Sequence, residues 1–279
     1  MRPILLLISL LFIANVSGQG AYSTFFNEIP DSRLAYKEGE KLLYTVKYTW
    51  GIFRTDVGEA IITIDRKSNG MYGDHFHSVI TGYSYKFYDV FFKIRDVFEA
   101  KFSAATGRPL YFHRDISEGR YRLKNTLYFN PDNSIRAKVK RKEEPERETL
   151  LNGKGHTFDL VSFLYHTRNL DFTTFAPGVE HPFYFAIDDD IFNLNYKFVG
   201  KEIKNIPGLG TFNTLKFVAK VVAGEVFKGK EELVIWVSDD RNKVPLLIES
   251  PIKVGRVTGR LSSFENLKFP LSSMIERSN

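Results

Sequence analysis

Apolar and polar residues alternate at every second position along most of this chain, the period of strands that bury one face. In "KLLYTVKYTW", Leu42, Tyr44, Val46, Tyr48 and Trp50 share one side, with Thr45, Lys47 and Thr49 on the other. The period continues through "GEAIITID", "DHFHSVIT", "DVFFKIRDVFEAKF" and "RYRLKNTLYF". It resumes later in "HPFYFAI", "FNLNYKFV", "TFNTLKFVAKVV", "ELVIWV", "VPLLIES" and "KVGRVTGRL". Short stretches such as "SNG", "TGRP", "SEGR", "NPDNS" and "SDDRNK" punctuate these runs as turns. About a dozen strands joined by short connections predict antiparallel pairing. So many strands curl rather than stay flat. The fold class expected is all-β and mainly antiparallel, with the curved sheet forming a β-roll or half-open barrel. Gly255 and Gly259, on one face of "KVGRVTGRL", predict a strand bend or a neighbour packed close.

One stretch breaks the period. In "FDLVSFLYHTRNLDF" the apolar positions Leu160, Val161, Phe163, Leu164, Thr167 and Leu170 fall at helical spacing, which predicts one inserted amphipathic helix near 158–169. A curled sheet that does not close has an open mouth and exposed edges. The helix serves there either as a plug completing the core or as a lid over a ligand cavity.

The N-terminus changes the compartment expected. "MRPILLLISLLFIANVSGQG" opens with Arg2, runs apolar from Ile4 to Ile13, and ends in small residues at Val16 and Gly18. That is the layout of a secretory signal peptide over 1–18, too short for a spanning helix. A loose arm at 19–30 and a single β domain over 31–279 are expected to follow. The protein is then periplasmic or secreted, with no transmembrane segment after cleavage. The chain has no cysteine, which rules out a lipoprotein anchor, disulfides, thiolate zinc sites and cysteine nucleophiles.

Charge alters the picture little. Lys and Arg number 39 against 33 Asp and Glu, a formal net charge of +6. The densest basic stretch, "KVKRKEEPERE", alternates in sign and lacks the single-sign stripe that tracks phosphates, so no nucleic-acid partner is expected.

Catalytic signatures are missing: there is no G-x-S-x-G elbow, no phosphate loop and no H-E-x-x-H. His75 and His77 share a strand face but read as surface histidines, and Asp188 to Asp190 as a charged hairpin tip; no metal site and no cofactor are assigned. Asp96 stands in the otherwise apolar row Phe92, Ile94, Asp96, Phe98, Ala100, Phe102. If that row faces inward, the carboxylate needs a partner. It pairs with Arg168 at the helix end, or it discourages edge pairing, or it meets a ligand's polar head. The ligand-binding candidates are Trp50, Asp96, Phe98, Leu164, Tyr165 and Arg168.

The chain also resembles a family of exported bacterial proteins known as domain of unknown function 3108. The likeness rests on "YKEGEKLLYTVKYTWGIFRTDVGEA", "FKIRDVFEAKF", "FDLVSFLYHTRNLDF" and "IWVSDDRNKVPLLIESPIKVGRVTGRL", in order along nearly the whole chain. The helix stretch departs from the proline-containing "DPLSALYYLR" form expected of the family. The resemblance implies an envelope protein with a curved antiparallel fold and supplies no catalytic residues. The leading functional expectation is a non-enzymatic envelope protein binding an apolar or amphiphilic molecule, such as a lipid, in a β-roll cavity. The alternatives are an interaction module docking an envelope protein partner and a hydrolase using paired carboxylates, Asp96 with Glu99 or Asp239 with Asp240, on a cell-wall or glycan substrate.

Overall fold

The computed structural model describes residues 26–220, 232–252 and 254–278. Residues 1–18, expected to be a signal peptide, and the first part of the expected arm lie outside the described residues. The first strand group is β1 (Glu40–Trp50), β2 (Phe53–Asn69), β3 (Gly73–Ser84), β4 (Arg95–Ser103), β5 (Pro109–Glu118), β6 (Tyr121–Phe129), β7 (Ser134–Arg141) and β8 (Arg147–Asn152), with a short helix α1 (Lys86–Phe92) between β3 and β4. A two-residue strand β9 (Thr157–Phe158) leads into helix α2 (Leu160–Arg168). The second group is β10 (Glu180–Ile187), β11 (Asp190–Ile206), β12 (Gly210–Lys220), β13 (Glu232–Ser238), β14 (Pro245–Pro251), β15 (Arg256–Glu265) and β16 (Met274–Arg277).

All sixteen strands among the described residues join one sheet in the order β8-β7-β6-β5-β4-β3-β2-β1-β15-β14-β13-β12-β11-β10-β9, with β16 added beside β12. β8 and β9 stand at opposite ends of this path, yet only residues 153–156 connect them. Laid flat, the path would be roughly 65 Å wide at about 4.8 Å per step, whereas so short a link spans at most about 18 Å. The sheet therefore curls until its two edges approach each other, and it stops short of a closed barrel. Register shifts at Val46/Lys47, Lys101/Phe102, Phe198/Gly200 and Trp236/Val237 supply local bends along the way.

Across the gap the closure is ionic. The β10–β11 turn reaches the inner faces of β5 to β7, where Asp188 meets Arg114 at 2.5 Å and Arg141 at 2.8 Å. The Asn125 amide donates to the Asp188 carbonyl at 3.1 Å and accepts from its backbone N–H at 3.0 Å. Arg147 adds a contact to Asp189 at 3.3 Å. The acidic triplet is a hairpin tip as expected, and its role is to latch the two halves of the roll.

The alternation holds in detail. Leu42, Tyr44 and Val46 on β1, Ala60, Ile62 and Ile64 on β2, Phe98, Ala100 and Phe102 on β4, and Leu123 and Leu127 on β6 are all buried on the concave side. Two expectations need correction. The run from Asp89 to Phe102 is not one strand, because its first part is α1 and β4 begins only at Arg95. A seven-residue piece carries too few positions to tell the two periods apart. The strands also outnumber the expected dozen, in part because β9 and β16 are too short to leave a periodic signal.

The inserted helix has a topological cause. β9 and β10 pair in parallel, through Tyr184 with Thr157 and Phe185 with Phe158, whereas the other ladders are antiparallel. A parallel pair cannot be joined by a tight turn and needs a crossover, which a helix normally supplies. α2 is part of that crossover.

Candidate functional site

α2 starts where it does because Asp159 caps it. The Asp159 carboxylate accepts from the amides of Val161 and Ser162, each at 2.9 Å, and from the Ser162 hydroxyl at 2.5 Å. The capping group is fully buried, and burial pushes its pKa up to about 6 against the pull of those hydrogen bonds. Val161 and Tyr165 face the first strand group. The Tyr165 ring stacks on Phe102 at 5.3 Å and meets Tyr36 edge-on at 4.7 Å.

At the other end Arg168 ties the helix down. Its guanidinium forms a two-pronged pair with Glu40, at 2.5 and 2.8 Å. It also donates to the carbonyls of Asn242 at 3.0 Å and Ala35 at 3.2 Å. Both charged side chains are almost completely shielded from water. One side chain thus joins α2, the start of β1, the β13–β14 turn and the segment before β1.

The opposite side of α2 faces a cavity. Leu160, Phe163, Leu164, Thr167 and Arg168 form its roof. Its walls come from β1 (Tyr44, Val46), β2 (Ala60, Ile62), β3 (Ile80), β10 (Phe183), β11 (Tyr196), β12 (Phe217, Ala219), β13 (Leu233, Ile235, Val237), β14 (Pro245, Ile248) and β15 (Gly259), together with Phe172 and Lys243. The cavity has a volume of about 200 Å³. On a comparable measure about 150 Å³ lined by apolar side chains is enough to take up benzene. Aromatic rings order one wall: Phe163 lies flat on Phe183 at 3.9 Å, with Tyr196 at 6.0 Å from Phe163 and Phe217 beyond it.

Gly259 contributes by what it lacks. A Cβ built there meets nothing within 4 Å, so this glycine opens onto the cavity and is not the close-packing point its sequence position suggested. Gly255 is that point: a Cβ there would sit 2.2 Å from the Thr49 carbonyl, and its φ is +89°.

Few polar groups face this space, and most are already engaged. The Tyr44 hydroxyl donates to the Pro245 carbonyl at 2.7 Å, the Thr167 hydroxyl to Leu164, and Arg168 is held by Glu40. Lys243 is different. It is half-buried, and no ion pair within 4 Å engages its ammonium among the described residues. Burial pushes its pKa down, opposed at longer range by Asp171 and Asp240. The Tyr196 hydroxyl likewise has no hydrogen-bond partner among the described residues, and burial raises its pKa.

The six candidates from the sequence scatter. Leu164 and Arg168 line the cavity. Tyr165 lies behind them on the packed side of α2, and Phe98 is fully buried in the main core. Trp50 sits half-exposed at the β1–β2 hairpin, stacked on Phe53. Asp96 is buried but does not pair with Arg168, correcting that expectation: the arginine belongs to Glu40. Asp96 instead accepts from the Ser117 amide at 2.9 Å and faces Glu118. Burial raises the pKa of both carboxyls, and the Asp96 charge raises that of Glu118 further. Neither lines the cavity.

The proposed catalytic pairs do not assemble. Asp96 points inward while Glu99, on the outer face, bonds His77 at 2.9 Å. Asp240 is held by Ser273 and Asn242, and Asp239 meets Lys201 at 2.8 Å. His75 is buried against the Gly73 carbonyl rather than standing on the surface. Phe183, Tyr196 and Phe217 lay in strands the alternation identified, but it could not say which faces would meet under α2. Lys243, in a turn, left no signal of its role.

The fold has relatives among solved structures. A β-barrel-like protein of domain of unknown function DUF1849 from Brucella abortus superposes with a TM-score of 0.50 at 8% identity, covering 84% of this chain and all of that one. A lipoprotein candidate from Parabacteroides distasonis matches with a TM-score of 0.35 at 9% identity, over 83% of this chain and 98% of its own. An exported-protein candidate with a YmcC-like fold from Bacteroides fragilis matches with a TM-score of 0.33 at 10% identity, over 87% and 100% respectively. No functionally curated protein matches the sequence. The model of the DUF3108 family, described as a protein of unknown function, matches residues 43–262, and the chain belongs to that family.

Proposed function

We propose that this protein is a non-enzymatic binder of a single-chain amphiphile, working outside the cytoplasm, with the acyl or alkyl chain beneath α2 and an acidic head at Lys243. The observation that carries the reading is a cavity walled almost entirely by apolar and aromatic side chains, with one ammonium at its boundary that no carboxylate among the described residues neutralises at close range. Water in such a space lacks partners, and a chain that replaces it gains roughly 25 cal/mol for each Å² of apolar surface covered. An unpaired ammonium at reduced pKa gains from an anion that shares its desolvated site. The signal-peptide layout of residues 1–18 supports the export.

The test has two stages. Protein purified without detergent is analysed by native mass spectrometry and lipid extraction. It is then titrated with palmitate, hexadecanol and hexadecyltrimethylammonium by displacement of a fluorescent dye. Palmitate is expected to bind more tightly than hexadecanol by on the order of tenfold, the worth of one charge-assisted contact. Lys243→Met should erase that preference, while Gly259→Phe should lower uptake of all three ligands. No co-purifying lipid, together with equal uptake by wild type and Gly259→Phe, overturns the proposal.

A further inference from the structure

A second feature lies at one end of the roll, apart from the cavity. Large apolar side chains stand in water on two adjoining elements: Trp50, Ile52 and Phe53 on the β1–β2 hairpin, and Phe87, Val90 and Phe91 on α1. Their exposure ranges from 55% for Trp50 to 91% for Ile52, so each leaves more than half of its surface without protein cover. Val254, in the β14–β15 turn, adds a third edge.

The elements are fixed to one another. The Tyr88 and Thr55 hydroxyls share a hydrogen bond, the Tyr85 amide donates to the Val57 carbonyl at 2.9 Å, and the Tyr48 hydroxyl donates to the Val254 carbonyl at 2.9 Å. Beneath them Val46, Val57, Ile94 and Val257 form a small separate core. The apolar tips therefore share one rigid platform.

Charge decides what this platform fits. Arg54, Lys86 and Lys93 are exposed around it, and none makes an ion pair or side-chain hydrogen bond among the described residues. The carboxylates nearby are occupied: Asp56 by Lys47 and Arg260, Asp89 by Arg95 and Ser84, and Glu59 by Tyr83 and Tyr85. The platform thus presents protruding Trp, Phe and Ile side chains, ringed by free cations with no free anion among them. Protruding tips suit a soft, anionic, planar surface better than a rigid protein partner, which would need a groove or a flat strand edge to grip. We infer that this end of the roll docks on the surface of a membrane containing anionic lipid, inserting the hairpin and α1 tips to the depth of the headgroups. This holds whatever the cavity contains.

The two tryptophans make a direct test. Trp236 is buried in the core, so only Trp50 can report contact with lipid. The protein, in the processed form that mass spectrometry records, is mixed with vesicles of phosphatidylcholine alone or with added phosphatidylglycerol. The expected result is binding to the anionic vesicles, a blue shift of Trp50 emission, and quenching by lipids brominated near the headgroup. Ile52→Ser with Phe91→Ser should weaken binding by at least about tenfold with unchanged circular dichroism. Lys86→Glu with Lys93→Glu should remove only the part that depends on phosphatidylglycerol, about fivefold per cation. Both pairs of positions are exposed, so folding is not at stake. Unquenched Trp50 on bound vesicles, or full binding by the Ile52/Phe91 variant, overturns the inference. So does a protein partner that covers these residues while vesicles leave Trp50 unchanged.

Discussion

Arg168→Met removes one partner of the buried pair that ties α2 to β1 and leaves Glu40 without a compensating charge, since no other hydrogen bond to that carboxylate is present among the described residues. A stranded buried carboxylate escapes by taking up a proton. Starting from an ordinary glutamate pKa of ~4.3, that escape costs about 3.7 kcal/mol at pH 7 and about 1 kcal/mol at pH 5. The bonds from Arg168 to the Asn242 and Ala35 carbonyls are lost as well, at about 1 kcal/mol each. Arg168→Met is therefore expected to lose about 4–6 kcal/mol at pH 7, near the range found when one half of a buried pair is deleted, and roughly 2.7 kcal/mol less at pH 5. Glu40→Gln leaves a guanidinium that cannot shed its proton, so its penalty should not ease in acid. The double change Glu40→Leu with Arg168→Met removes both charges and should recover part of the loss. Urea unfolding at pH 7 and pH 5, followed by far-ultraviolet circular dichroism, measures all four proteins. A loss below about 1 kcal/mol for Arg168→Met, or a penalty that stays the same at pH 5, would refute the assignment of this pair as the anchor of the helix.

Three further outcomes are expected. The buried Asp96 and Glu118 carboxyls, both with raised pKa, bind protons more tightly when folded than unfolded. Their contribution to stability is fully present at low pH and is lost as pH rises past the ordinary carboxylate range toward their raised values. Glu118→Gln should flatten that decline in a pH series of urea midpoints, and an unchanged slope would refute the pairing. Asp159→Ala removes the α2 cap and should cost about 0.5–2 kcal/mol; Asp159→Asn, which keeps an acceptor oxygen, should retain most of the stability, whereas equal losses in thermal unfolding would refute the capping role. Asp188→Ala opens the latch between the β10–β11 turn and β5 to β7, stranding the buried Arg114. Amide exchange should quicken first in β10 and β8, and uniform exchange across the sheet would count against an ionic closure.

The sequence by itself determined the parts of this protein that depend on neighbours along the chain. Alternation marks the concave face residue by residue, because side chains on a strand point to opposite sides whatever the strand pairs with. The three-and-four spacing around Phe163 identifies α2 for the same local reason. Two of the six site candidates, Leu164 and Arg168, reached the cavity because they lie on that helix. The tertiary structure alone decided the rest. The partner of Arg168 is Glu40, 128 residues away, and the apolar row on β4 made Asp96 the wrong choice because periodicity ranks faces but not distances. Gly259 becomes a cavity wall and Lys243 its boundary cation only once β1, β15, β14 and β13 lie side by side under the crossover helix. Sheet order is set by which curled arrangement buries the most apolar surface while still letting residues 153–156 bridge the two edges. That is a property of the whole chain at once, which no local period records.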